Sequence, residues 1–356
     1  MLKTLEARWR RLWIRALNRA MRQPAMASPD WGGRTRRLLF LRHDRIGDMI
    51  VSTALMRAVA ESHPGIELDV LASPANASVL DGADFVRQVI VFDRRDPRSY
   101  PAMARRLRAE RYDAVIDCMV TASSVTTLLL MAAAGAPYRV GIAGRGNDDA
   151  INVAVPAAGG EQLMAIEIGA LSAAFGIDPR KVDWRPELFV SPRMREDAAA
   201  RWRSIGTGTG QRVLVNVSAG SATRQWQTEK FAAVISHIRH RMPDAAVLVT
   251  GAPNERDRVD EVVIRSGATA AATASLAAVF ALVATADFVV TPETSIVHAA
   301  SAFRRPAVAI YRRTESRRWG LHPGFGENVE HTEDTLLTLG VEPVLAAIDR
   351  VLARRG

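Results

Sequence analysis

Between residues 37 and 311, short aliphatic runs alternate with longer helical stretches, and the alternation occurs twice. No other feature of this 356-residue chain restricts its fold as much. In the first half Arg37–Arg42, Glu67–Leu71, Gln88–Phe92, Ala114–Cys118 and Arg139–Ile142 read as strands, and Asp48–Glu61 reads as a helix. The strands are continuously apolar instead of alternating in and out, as expected of a parallel sheet covered on both faces by helices. The rhythm weakens from Gly144 to Pro186, where Pro156, Gly159 and Gly160 cluster. It then restarts, with strands at Val213–Val217, Ala246–Thr250, Phe288–Val290 and Val308–Tyr311. Helices are expected at Thr228–Arg241, Glu255–Ile264, Leu276–Ala284 and Ile296–Phe303, and a last one, Val341–Arg354, fits either half. Two Rossmann-like α/β halves in tandem suit a chain too long for one ordinary core. The expected divisions are a basic helix and linker (1–34), an N-terminal domain (35–185), a C-terminal domain (186–330) and a C-terminal helix (331–356).

The charge is concentrated at one end. The chain carries a net +9, and residues 1–45 alone contain twelve basic and three acidic residues, so the remainder is balanced. A nucleic-acid-binding surface would spread its excess over a folded face, and no nucleic-acid partner is expected. Within residues 1–22, Leu2, Leu5, Trp9, Leu12, Trp13, Ala16, Leu17, Ala20 and Met21 recur at steps of three and four, with arginines filling much of the opposite face. Tryptophans and arginines together suit the headgroup boundary of an anionic membrane. The alternative is a helix packed on the protein's own body or on a second subunit. There is no apolar run long enough to span a bilayer and no secretory h-region. From Gln23 to Arg34, Pro24, Pro29, Gly32 and Gly33 mark a linker. The single cysteine, Cys118, excludes an internal disulfide and points to a reducing compartment.

In open parallel sheets ligands bind at the carboxyl ends of the strands, and three segments there carry chemistry. The first strand runs into His43-Asp44-Arg45-Ile46-Gly47-Asp48, where Gly47 would allow a tight turn. Asp48 falls where an N-cap or first-turn carboxylate would sit, and either caps the following helix or accepts a proton from an attacking hydroxyl. The segment lacks the GxGxxG of a dinucleotide site. After Val213–Val217, the stretch Ser218 to Trp226 offers Ser218, Ser221 and the cation Arg224 to a phosphate, or is a solvated loop. In the third, Thr291-Pro292-Glu293-Thr294-Ser295-Ile296-Val297-His298, a helix start exposes hydroxyls and N–H groups to an anion, with His298 one turn in.

Taken together, these segments resemble glycosyltransferase family 9, the lipopolysaccharide heptosyltransferases with the GT-B fold. Arg42 to Asp48 is similar to the family's Arg-x-x-x-x-Gly-Asp, and residues 60–71, Val89–Asp93 and Tyr112–Asp117 also fit family habits. Arg224-Gln225-Trp226-Gln227 is similar to Lys-x-Trp-Pro, Gly251 to Glu255 to Gly-x-Pro-x-Glu, and Glu293 to His298 to Asp-Thr-Gly-x-x-His. The resemblance runs from about residue 36 to 325. It implies two Rossmann-like domains facing across a cleft, and inverting, metal-independent transfer of a sugar, heptose or a related one. The donor would be a nucleotide-diphosphate sugar, ADP-linked in preference to UDP-linked, with no further cofactor. The acceptor would be a lipopolysaccharide or other lipid-linked envelope glycan.

On this resemblance Asp48 is the general base, and Arg224 neutralises the departing diphosphate. Glu293, Thr294, Ser295 and His298 form its cradle, and Glu255 sits near the ribose. Arg45 is a candidate for acceptor or phosphate contacts, and so are Arg312 and Arg313, in a loop that also contains Arg317 and Arg318 and is otherwise a solvated charge run. Three residues depart from the family pattern: Glu293 for Asp, Ser295 for Gly and Arg224 for Lys. The expected location is cytoplasmic, peripheral on the inner face of the cytoplasmic membrane. A non-catalytic GT-B scaffold protein and a nicotinamide-dependent oxidoreductase are the competing classes; the intact Asp48 and the missing glycine fingerprint weigh against them.

Overall fold

A computed structural model describes residues 2–33, 37–206, 210–273, 275–313 and 315–354, with the side chains of residue 9 and of these residues from 12 onward. The side chains of Leu2 and Leu5 of the expected apolar stripe and the end of the expected linker lie outside that description. The chain divides into two compact units, Met1–Trp184 and Arg185–Gly356.

The N-terminal unit begins with α1 (Leu2–Ala20) and then builds β1 (Arg37–Leu41), α2 (Ile46–Ser62), β2 (Glu67–Ala72) and β3 (Gln88–Val91). It continues through α3 (Ser99–Glu110), β4 (Ala114–Asp117), α4 (Val125–Ala134), β5 (Tyr138–Ile142), β6 (Val153–Val155) and α5 (Met164–Gly169). Its sheet is wholly parallel, in the order β3-β2-β1-β4-β5-β6. The C-terminal unit runs through α6 (Pro192–Arg203), β7 (Arg212–Asn216), α7 (Thr228–Arg241), β8 (Ala246–Thr250), α8 (Arg256–Ser266) and β9 (Thr269–Ala270). It closes with α9 (Leu276–Thr285), β10 (Phe288–Pro292), α10 (Ser295–Ala302), β11 (Ala307–Arg312), α11 (Ser316–Trp319), β12 (Gly326–His331) and α12 (Glu342–Ala353). Its order, β12-β11-β10-β7-β8-β9, repeats the first sheet strand for strand. In both, the order reverses between the first and fourth strands, the switch point where open α/β sheets leave a crevice for ligands.

The central strands are buried on both faces, as their continuous apolar runs require: Leu38 to Leu41 and Val213 to Val215 are wholly enclosed. Three short strands, β6, β9 and β12, were not expected from the sequence. β6 and β12 end their sheets, and an edge strand needs only one buried face: Val153 and Val155 are buried with Ala154 exposed, and of β12 only Val329 is buried. The last helix joins the C-terminal unit, placing Val344, Ala347, Ile348 and Val351 in the core beneath β11 and β12.

Helix α1 carries two apolar faces. Ile14, Leu17 and Met21 pack on the core of the N-terminal unit beside α4, while Trp9, Leu12 and Trp13 remain 59%, 55% and 58% exposed. The docked end is pinned by polar bonds, Ala150 N–H to Asn18 Oδ1 (2.7 Å) and Arg139 Nη1 to the Met21 carbonyl (3.0 Å). The stretch after it is also held, with Met26 N–H on the Asn152 carbonyl (2.7 Å) and Trp31 Nε1 on the Ala174 carbonyl (2.7 Å).

At the amino ends of the first sheet, the fully enclosed Asp69 accepts from Arg87 Nε (2.8 Å), Gln88 Nε2 (2.7 Å) and Tyr112 hydroxyl (2.7 Å). Asp69→Ala leaves the buried Tyr112 hydroxyl without its acceptor and Arg87 and Gln88 with Glu110, and is expected to cost about 1–3 kcal/mol of stability, measured by denaturant unfolding. A loss below about 1 kcal/mol would show that water replaces the carboxylate.

Candidate active site

The turn after β1 is organised by a buried guanidinium. Arg42 is 1% exposed. Its backbone N–H continues the ladder to the Leu71 carbonyl of β2, its Nε donates to the Asp48 carbonyl (2.9 Å), and Nη1 donates to the Cys118 carbonyl just past β4. Nη2 reaches Asp48 Oδ1 at 3.2 Å, and Nη1 lies 3.5 Å from Asp44 Oδ2. Asn76 secures the same turn, donating from Nδ2 to the Arg42 carbonyl (3.1 Å).

Asp48 therefore does not occupy the cap. The N-cap of α2 is Arg45, and Asp48 is the third helical residue, its carboxylate held by Arg42. Gly47 makes no tight turn either, since it lies inside α2. Burial pushes the Asp48 carboxyl up to about 6, against the pull of Arg42 and with the help of nearby Asp44. At neutral pH it is an ionised carboxylate with more proton affinity than a solvated one, which suits general-base work. His43, beside it, bonds Thr127 Oγ1 at 3.2 Å, and burial lowers its pKa, so it stays neutral. Arg45 is exposed.

In the C-terminal unit, Asn216 at the end of β7 ties the two loops of the switch point together. Its Nδ2 donates to Thr291 Oγ1 (2.9 Å) and Thr294 Oγ1 (3.1 Å). Thr294 is the N-cap of α10, accepting from Ile296 N–H at 3.3 Å, and Ser295 opens the helix half-buried. Thr294 thus fixes the helix start, its hydroxyl taking the Ile296 N–H and its carbonyl the Val297 N–H (3.2 Å), and the positive end of the α10 dipole lies there. His298 lies buried one turn on, edge-to-face with Trp319 at 6.1 Å between ring centroids, and burial lowers it to about 4. It is neutral and offers a single N–H.

The β7–α7 loop carries Arg224 and is anchored by Trp226, whose fully buried ring stacks edge-on to Phe231 and whose Nε1 donates to the Leu339 carbonyl (3.0 Å). Arg224 Nη2 lies 2.9 Å from Glu293 Oε1 and 3.4 Å from Glu315 Oε2. Arg312 joins this cluster through Glu315 (2.7 Å), whereas Arg313 turns to Asp334 with its backbone in the left-handed region. Ser218 and Glu255 brace neighbouring loops, accepting from Ala252 N–H (2.6 Å) and Ala219 N–H (3.2 Å). A Cβ at Gly251 would come within 2.7 Å of Val259, so this close approach of loops needs glycine. Ser221 is exposed and bonds Thr223.

Sequence reasoning missed Glu315, a lone acid in an arginine-rich loop. It also gave no role to Arg42, whose only signal was its place at the head of the turn motif.

A family model described as glycosyltransferase family 9 (heptosyltransferase) matches residues 101–335. The chain belongs to glycosyltransferase family 9. It is a glycosyltransferase of the GT-B fold, and the Arg42–Asp48 turn precedes the matched span. Among solved structures, a family 9 glycosyltransferase from Veillonella parvula DSM 2008 is similar at a TM-score of 0.80 and 15% identity, covering 93% of this chain and 99% of the other. The E. coli ADP-heptose lps heptosyltransferase II gives 0.73 and 18%, covering 90% and 99%. E. coli heptosyltransferase WaaC with ADP gives 0.71 and 19%, covering 88% and 99%. A comparison with curated protein sequences found no match.

The Asp48 carboxyl of this family 9 chain is expected to titrate near 6 by carboxyl-carbon NMR, assigned by its loss in Asp48→Asn. A midpoint near 4 would mean that the site is open to water.

Proposed function

We propose that this glycosyltransferase moves a sugar, heptose or a close relative, from an ADP-linked donor to a lipopolysaccharide or other lipid-linked envelope glycan. Transfer proceeds with inversion and without a metal ion. Asp48 takes the proton of the acceptor hydroxyl, the oxygen forms the new bond to the anomeric carbon, and the bond to the diphosphate breaks with its electron pair on phosphate oxygen. The negative charge is met by Arg224, the positive end of the α10 dipole and the N–H of His298. Glu255 lies on the ribose side, Ser218 and Ser221 line the diphosphate loop, and Glu293 faces the donor sugar. Arg45, Arg312 and Arg313 supply charge for acceptor or phosphate groups.

The observation that carries this assignment is Asp48, fixed by Arg42 at the switch point and raised to about 6 by burial. An ADP-linked donor is supported by the E. coli relatives, one described with ADP and one as an ADP-heptose transferase. No nicotinamide fingerprint competes with it.

We place the protein in the cytoplasm, peripheral on the inner face of the cytoplasmic membrane. Among the described residues no helix is long and apolar enough to cross a membrane. Supporting the peripheral placement is the open face of α1, where Trp9, Leu12 and Trp13 stand exposed with Arg15, Arg19 and Arg22 nearby in sequence. An anionic, lipid-anchored acceptor would be met at that surface.

Asp48→Ala should lower transfer by about a thousandfold or more while changing the dissociation constant for ADP less than about threefold. A comparable loss of ADP binding would make Asp48 structural. Parallel calorimetric titrations should rank ADP above UDP and GDP, and binding of none of them would withdraw the donor assignment. Because Met21 and Leu17 are docked, the membrane surface is tested by substitution rather than deletion. Replacing Trp9, Leu12 and Trp13 by Gln should release the protein from anionic vesicles with its unfolding temperature unchanged. Undiminished co-sedimentation would refute the membrane role.

A further inference from the structure

The segment between β11 and α11 brings a second carboxyl group to the donor site. One nitrogen of Arg224, Nη2, stands between Glu293 (2.9 Å) and Glu315 (3.4 Å), and Arg312 holds Glu315 from β11 at 2.7 Å. Glu293 is only 7% exposed, and its Oε2 is buried without a donor. The Nε atoms of Arg224 and Arg312 are likewise buried without an acceptor. An ionised, unsatisfied carboxylate beside a second carboxylate is unfavourable away from water, and a single proton between the two relieves both faults. Glu293 then has a hydroxyl that donates to Glu315. The other ionisable groups around the cluster stay neutral: Tyr311 of β11, whose hydroxyl donates to the Trp319 carbonyl (2.9 Å), and His298 of α10.

We propose that Glu293 and Glu315 share one proton, and that a nucleoside diphosphate and this proton occupy the donor site together. With the proton present, the pair carries one negative charge against two guanidiniums, leaving one positive charge for the diphosphate. Without it the charges cancel, and Arg224 is held by its own carboxylates. The direction of the titration agrees. Burial, then Glu315, raises the Glu293 carboxyl to about 8, and although burial opposes it, bonds from Glu293 and the two guanidiniums keep Glu315 below the ordinary range. Donor binding therefore weakens as pH rises through the Glu293 titration. This inference rests on the donor-site assignment made above.

The test is calorimetric titration of the full chain with ADP between pH 7.5 and 9.5, above the ionisation of a terminal phosphate at about 6, in buffers of low and high ionisation enthalpy. The wild-type dissociation constant should rise about tenfold per pH unit at the alkaline end, with proton uptake at pH 8. Glu293→Gln, which copies the protonated form, should bind ADP without pH dependence or uptake. In Glu315→Gln the remaining acid ionises more readily, so uptake at pH 8 should vanish as well. Wild-type binding that ignores pH and buffer, or linkage that survives Glu293→Gln, overturns the proposal. Failure of ADP to bind at any pH removes the donor-site assignment itself, and this inference with it.

Discussion

The edge of the N-terminal sheet that faces chemistry depends on one buried guanidinium. Arg42 bonds the Asp48 and Cys118 carbonyls and pairs with Asp48 and Asp44, so a single side chain joins the turn after β1 to the end of β4. A cation this enclosed is tolerated only when its donors are met and its charge is countered. The same pairing decides the character of Asp48. Burial raises the proton affinity of the carboxyl, and Arg42 pulls it back down. Beside it, the group remains ionised at pH 7 while retaining raised proton affinity.

The C-terminal unit solves a related problem differently. The cation of its β7–α7 loop is an arginine where the family pattern has lysine, and one nitrogen of its guanidinium, Nη2, lies beside two carboxyl groups at once. Glu293, one methylene longer than the family's aspartate, is the partner that Arg224 reaches most closely. The two departures at Arg224 and Glu293 thus meet in one ion pair. The substitution of Ser295 for glycine opens α10 without strain, since its backbone does not enter the left-handed region.

Much of this architecture was legible because buried parallel strands must be apolar throughout. The runs at 37–42, 114–118, 213–217 and 246–250 announced the middle of both sheets. Three of the four edge strands were not legible: β6, β9 and β12 are two to six residues long and bury one face at most, so they carry no long aliphatic run, whereas β3 was expected. For α1, the stripe of three-and-four spacing correctly marked a helix, but spacing cannot say which face docks. Ile14, Leu17 and Met21 turned inward and Trp9, Leu12 and Trp13 outward.

For the site, the sequence by itself determined which residues stand at the carboxyl ends of the strands: Asp48, Arg224, and Glu293 to His298. Residue type and position after a strand fix that much, because side chains in a βα-loop follow the strand that precedes them. What only the tertiary structure decided is who neutralises whom. That Arg42 rather than the helix terminus holds Asp48 follows from the folding of the turn after β1, and that Glu315 reaches across ninety-one residues to Arg224 follows from strand order. The sheet places β7 beside β10 and β10 beside β11, and charges distant in sequence then meet where water is scarce and their interactions are strongest.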